Sequence, residues 1–112
     1  MQVKVSVRHG HLGEDVQQQL RERAEKLLHF FNRLTMIEVT VDVHRDHDHN
    51  LTVEIRATAE HKHEFVATDR DEDVLAAFNK AAAHAKQQIT HHKEKLQDHR
   101  RASDYGGNNA SS

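Results

Sequence analysis

The sequence has no cysteine, no proline, no tryptophan and only four glycines. Without cysteine, neither a disulfide framework nor a thiolate metal site is available. Without proline and with little glycine, there is little room for long irregular segments. No apolar run approaches the length of a membrane span. The first residues, Met1-Gln2-Val3-Lys4-Val5-Ser6-Val7, alternate like a strand and do not read as a signal peptide. The cytoplasm is the expected location. Aromatic residues make up 4% of the chain, which argues against a single-strand binder that works by stacking bases. An excess of positive charge is also missing. Against 16 Lys and Arg stand 18 Asp and Glu, for a formal net charge of −2. Composition alone therefore gives no reason to expect a nucleic-acid partner.

The abundant residue is histidine, with 12 copies. Protons on all twelve would turn a net charge of −2 into +10. Histidine titrates close to physiological pH, so the sign of this surface depends on conditions. A chain of 112 residues fits one domain with a modest core and marginal stability.

Hydrophobic spacing predicts the order strand, helix, three strands, helix. Val3, Val5 and Val7 alternate with Lys4, Ser6 and Arg8, as in a half-buried strand. Val16, Leu20, Ala24, Leu27 and Phe31 repeat at helical spacing over residues 13–31. Glu14 and Asp15 fall in that helix's first turn, where negative charge suits the helix end. Met36 to Val43 and Leu51 to Ala59 alternate again, with the polar turn Arg45–Asn50 between them. Glu60–Lys62 reads as another turn, and Phe65 and Ala67 mark a short last strand. Asp69–Asp73 is an acidic entry to a second helix. That helix carries Val74, Phe78, Ala81, Ala85, Ile89, His92 and Leu96 on one stripe and is predicted to end near Arg101. Residues 102–112, rich in Gly, Asn and Ser, are expected to be a disordered tail after a domain of residues 1–101. Three successive strands with short turns make an antiparallel meander. Two amphipathic helices can cover its apolar face, which predicts an α+β two-layer sandwich of four strands and two helices.

Basic residues fall on the helix flanks. On the second helix Lys86, Lys93 and Arg100 line one side of the apolar stripe, and Lys80, His84, His91 and Lys95 the other. The first helix and its exit add Arg23, Lys26, His29 and Arg33. Two helices on one side of a sheet can merge such flanks into a surface that suits a phosphate backbone. Folded RNA is often bound this way, by shape and backbone. A basic last turn also complements the negative end of a helix, and charged flanks usually only solvate. Spacing alone slightly favours that plainer reading.

Two stretches carry a family resemblance. One is Asp73-Val74-Leu75-Ala76-Ala77-Phe78-Asn79, followed by Gln88-Ile89-Thr90-His91-His92-Lys93-Glu94-Lys95-Leu96. The other is Lys26-Leu27 ahead of Phe30-Phe31-Asn32-Arg33-Leu34. Together they resemble the ribosome hibernation-promoting factor and ribosome-associated translation inhibitor family, over residues 1–101. The resemblance implies a fold similar to double-stranded-RNA-binding domains. It implies binding to the small ribosomal subunit and its ribosomal RNA, in the channel that holds messenger and transfer RNA. Such binding inhibits translation and preserves idle ribosomes under stress and in stationary phase. The family's basic helix positions carry over to Arg23, Lys26, Arg33, Lys93 and Lys95, with His92 as the matching histidine. Helix placement adds His84, Lys86, His91 and Arg100 to the expected RNA-binding set. Gln17, His84, Gln87 and His91 stand where family members often carry Lys or Arg, and Leu75 stands where a Tyr is common. The chain resembles a short form without a dimerisation domain, so a monomer is expected off the ribosome.

The histidines admit a second reading, a metal-binding or pH-sensing interaction domain on the same fold. Neutral imidazole is a common zinc or nickel ligand. His44, His47 and His49 form one candidate group, and His61 with His63 another. They fall at turns on opposite ends of a strand of about eight residues, which separates them by roughly 25 Å. Solvated turns are the plainer reading for both, and a loop role for His9 and His11. Of the histidines among the basic residues of the second helix, His92 lies on or near the apolar stripe, where a packed, hydrogen-bonded role is open to it. Several of the others, His84, His91 and His99, are expected to act as conditional cations, because nearby phosphate favours the protonated form. No cofactor, small-molecule substrate or membrane partner is expected. No Ser-His-Asp arrangement, Gly-rich phosphate loop or zinc-protease pattern is present, so no enzyme is expected either.

Overall fold

Alternating residues form a sheet only when one face of each strand finds cover, and the connections here supply it. The computed structural model describes residues 2–104, and the side chains of residues 2–93 apart from Lys62. In chain order the elements are β1 (Gln2–Arg8), α1 (Glu14–Phe30), β2 (Leu34–Asp42), β3 (Leu51–Ala59), β4 (Glu64–Asp71) and α2 (Val74–Asp104). A single 3-10 turn, Glu60–Lys62, joins β3 to β4. The sheet order is β1-β2-β3-β4. The expected meander is present, with β2, β3 and β4 antiparallel in sequence. The α1 crossover returns the chain to the same end of the sheet, so β1 runs parallel to β2, with Val5 opposite Val39.

Both helices lie on one face. α1 packs over β1 and β2, and α2 over β3 and β4. The core joins Ile37, Val39, Val41, Val53, Ile55 and Phe65 from the sheet to Leu20, Ala24 and Leu27 of α1 and Phe78, Ala81, Ala85 and Ile89 of α2. Every one of these belongs to the predicted strand and helix periodicities, and the core also takes in Leu28 and Ala77, which widen the two helical stripes. Burying a large aliphatic or aromatic side chain contributes about 1.5–3 kcal/mol. Among the described residues no polar or charged side chain is buried.

Four boundaries differ from the sequence reading. β2 begins at Leu34, two residues early, because Leu34 is buried under α1's end. β4 is eight residues long rather than short, and Asp69 and Asp71 belong to it. They register against Val53 and Leu51 of β3, and that pairing overrides the low strand propensity of Asp. The acidic entry to α2 reduces to Asp73, whose carboxylate accepts the backbone N–H of Ala76 at 2.9 Å as an N-cap. α2 continues to Asp104, past the Arg101 end that its periodicity predicts. The rest of the predicted tail, residues 105–112, lies outside the described residues. No helix is long and apolar enough to cross a membrane among the described residues.

Candidate nucleic-acid interface

The two helices meet along a groove of about 400 Å³. Leu27, Phe78 and Ala82 form its floor, and Arg23, Lys26 and Lys86 line its walls. Glu22 is the one carboxylate lining it. Arg23 and Lys26 come from successive turns of α1, whose buried residues Leu20, Ala24 and Leu27 fix which flank faces α2. Lys86 follows buried Ala85 on α2 and therefore leans toward α1. Its ammonium stands 5.4 Å from the centre of the Phe30 ring. Phe30 is 48% exposed, so this cation–π contact caps an apolar surface that α1 leaves open. The Arg23 guanidinium donates to Asn79 Oδ1 at 2.9 Å. A neutral amide thus orients Arg23 and leaves its charge intact.

Beyond this groove lies a second cluster, where α1 exits into β2. The Lys93 ammonium is 5.7 Å from the Phe31 ring centre. Phe31, Arg33 and His92 line a cleft there with His61 and His63 of the β3–β4 turn. The ring of His63 stacks on that of His92 at 4.2 Å with 20° between planes. Phe65 meets both edge-on, at 4.7 and 5.5 Å. The backbone N–H of Glu60 donates to the carbonyl of Arg33 at 3.1 Å, which ties the two turns together.

The other flank of α2 is chemically different. Lys80 pairs with Asp71 at 3.0 Å and donates to the Arg70 carbonyl. His84 Nδ1 lies 2.5 Å from Asp69 Oδ2. Gln88 donates to the Val66 carbonyl. These contacts cap the free edge of β4, which otherwise would present unpaired carbonyls. The Asp73 backbone N–H, and after it the Lys80 ammonium, hold the Asp71 carboxyl below the usual carboxylate range. Carboxylates of the sheet therefore occupy this flank of the helix.

Of the ten expected RNA-binding residues, the structure brings together Arg23, Lys26 and Lys86 in the groove, and Arg33, His92 and Lys93 at its end. His91 is exposed on the outward face of α2, beside Lys86 and Thr90. His84 stands apart, on the β4 flank with Asp69. The side chains of Lys95 and Arg100 lie outside the described residues. Sequence reading did not single out Asn79, nor Phe30 as an exposed ring, and it assigned His63 to a solvated turn. A signal for His63 exists. It precedes Phe65 by two residues, which places both on one strand face, opposite the stripe that carries His92.

Among the remaining histidines, His9 ties the exit of β1 to the end of β2. His9 Nδ1 is 2.9 Å from Asp42 Oδ1. That contact, and then the backbone N–H of His44, lower the Asp42 pKa. In the β2–β3 turn Asp46 Oδ1 accepts the backbone N–H groups of Asp48 and Asn50 at 2.8 and 3.0 Å. The Asn50 N–H, and then that of Asp48, lower the Asp46 pKa. Arg45 spans from this turn to the carbonyl of Glu72 ahead of α2. No group of three His, Asp or Glu side chains able to hold a metal ion occurs among the described residues.

Residues 3–97 match the family described as sigma 54 modulation protein / S30EA ribosomal protein. No curated protein sequence matches the chain. Among solved structures, it is similar to a ribosomal subunit interface protein from Coxiella burnetii, with a TM-score of 0.68 at 11% identity. That match covers 84% of this chain and 99% of the other. It is also similar to the N-terminal domain of Protein Y from Thermus thermophilus, with a TM-score of 0.65 at 15% identity. Here 80% of this chain and 96% of the other are covered. At such identities the likeness establishes the fold alone.

Proposed function

The chain belongs to the sigma 54 modulation protein / S30EA ribosomal protein family, and from that premise we propose that it binds the ribosome and silences it. The small subunit and its ribosomal RNA are the partners. The α1–α2 face lies against RNA in the messenger and transfer RNA channel, and its presence there blocks translation and preserves idle ribosomes. The protein is a cytoplasmic binder that acts as a monomer off the ribosome, not a catalyst.

The observation that carries this reading is how the cations are partnered. On the sheet, Lys4 pairs with Glu38, Arg56 with Glu54 and Glu64, and Arg70 with Asp46. On the β4 flank Lys80 pairs with Asp71. Arg23, Lys26, Arg33, Lys86 and Lys93 make no ion pair among the described residues, and all five lie along the groove and its end. Elsewhere Arg21 and Arg45 also make none, but they donate to Gln18 and to backbone carbonyls. Unpaired cations along a groove between two helices suit a phosphate backbone read by shape.

Cosedimentation with purified small ribosomal subunits tests the proposal. Wild-type protein should pellet with the subunits and inhibit translation in a reconstituted system. Lys26→Glu combined with Lys93→Glu should do neither, and Lys80→Glu should still do both. Failure of wild type to bind, or undiminished binding by the double variant, would overturn the assignment.

A further inference from the structure

We infer that the histidine-lined cleft between the α1 exit and the β3–β4 turn captures a single unpaired nucleobase of the bound RNA, held on the His63–His92 stack with its phosphate met by Arg33. The inference rests on the RNA-facing reading above and adds a ligand class to it.

The cleft has a volume of about 250 Å³, room for one planar ring system but not for a duplex. Ring faces dominate its wall. The His63–His92 stack is backed edge-on by Phe65, and Phe31 lines the same cleft. Phe31 and Phe65 are buried, while His63 is exposed. His63 is thus the accessible end of a platform that continues through half-buried His92 to a base fixed in the core. Stacking on such a platform tolerates any base, because every base has a π-face.

The rim carries the matching charge. Arg33 makes no side-chain hydrogen bond or ion pair among the described residues, and it lines the cleft with His61. Among the described residues Glu60 is the one carboxylate in the lining. The rim is also preformed. Glu60 donates to the Arg33 carbonyl, and Ala59 donates to that of His63 at 2.7 Å. Between them His61 takes a left-handed backbone, with φ at 66°. Short hairpin connections commonly place one residue in this region, at a modest cost when that residue is not glycine. Here the effect is to turn the chain so that His61 and His63 flank one opening.

A metal ion fits less well. Ring-nitrogen lone pairs lie in the imidazole planes, and two rings stacked at 20° cannot aim them at one ion between the faces.

The test uses mononucleotides rather than ribosomes, so it fails separately from the ribosome proposal. Adenosine 5′-monophosphate and ribose 5-phosphate are titrated into the full chain while the side-chain proton resonances of His63, His92 and Phe31 are followed by NMR. The nucleotide should produce saturable upfield shifts at these rings, and ribose 5-phosphate should not. His63→Ala should weaken nucleotide binding by about tenfold, and His63→Phe should restore it. Because His63 is exposed, both variants should keep the wild-type amide spectrum. Equal shifts with ribose 5-phosphate would make this a phosphate site and overturn base capture. So would the absence of ring shifts, or a Phe variant as weak as the Ala variant.

Discussion

Lys86 and Lys80 lie on the same helix, six residues apart, and the structure gives them opposite roles. Lys86 stands free in the groove, over the Phe30 ring. Lys80 is tied to Asp71 and the Arg70 carbonyl. If the groove meets phosphate, only Lys86 displaces a counterion from the RNA. Each phosphate contact adds about 0.7–0.9 to the slope of log affinity against log salt. Five free cations then predict a slope of roughly −3.5 to −4.5 for wild type. Lys86→Gln should lower its magnitude by about 0.7–0.9, and Lys26→Gln with Lys86→Gln by about twice that. Near physiological salt, one such contact corresponds to about a fivefold change in affinity and two to about 20-fold. Lys80→Gln should leave both slope and affinity unchanged. The assay is fluorescence-anisotropy titration of labelled protein with small ribosomal subunits across a salt series. Equal slope changes for Lys80→Gln and Lys86→Gln would refute the division of α2 into a free and a neutralised flank. An unchanged slope in the Lys26/Lys86 double variant would remove the groove from the interface.

Two further predictions concern the scaffold. A Cβ on Gly10 would lie 2.6 Å from Cγ2 of Val43, at a φ of 158°. Gly10→Ala should therefore destabilise the β1 exit by about 1–3 kcal/mol, read as a lower urea midpoint with an unchanged slope; an unchanged midpoint would mean that this turn relaxes freely. Asp42, Asp46 and Asp71 all have pKa values lowered by hydrogen bonds. Their stabilising contribution is complete above the unfolded aspartate value of about 3.9 and is lost as pH falls through the lower folded values. Thermal midpoints should drop over that acid range, and Asp46→Asn should lower the neutral midpoint and flatten the acid limb. Parallel acid limbs for wild type and variant would show that Asp46 does not contribute to it.

The fold was legible because period decides it. Residues two apart from Ile37 to Val41 and from Leu51 to Ala59 are the ones buried, and the helical stripes through Leu20, Leu27, Phe78 and Ile89 cover them. Ends were less legible. Asp69 and Asp71 are poor strand formers, and only their pairing with β3 and their contacts with His84 and Lys80 keep them in β4. The groove cations could be placed on flanks by helical spacing, but spacing could not tell which flank the sheet's carboxylates neutralise. That depends on β4 lying beside α2, a contact between segments whose order in the sheet local periodicity does not state. The same limit hid His63, whose partner His92 is 29 positions further along the chain.

A net charge of −2 is compatible with a phosphate-binding face because charge acts locally. At physiological ionic strength the screening length is about 8 Å. The shortest extent of the fold is 18 Å, so carboxylates on the open sheet face, Glu38, Glu54 and Glu64 among them, are largely screened from a ligand on the helices. They are also paired with Lys4 and Arg56. Carboxylates nearer the helices, Asp69 and Asp71, are engaged by His84 and Lys80. The groove is left with Glu22 against Arg23, Lys26 and Lys86. Asn79 completes this segregation. An aspartate there would hold Arg23 just as well, through a charge-assisted bond, and would cancel the charge that the position supplies. The amide gives the orientation without the cancellation, so the identity of residue 79 sets the local potential of the groove while leaving its shape unchanged.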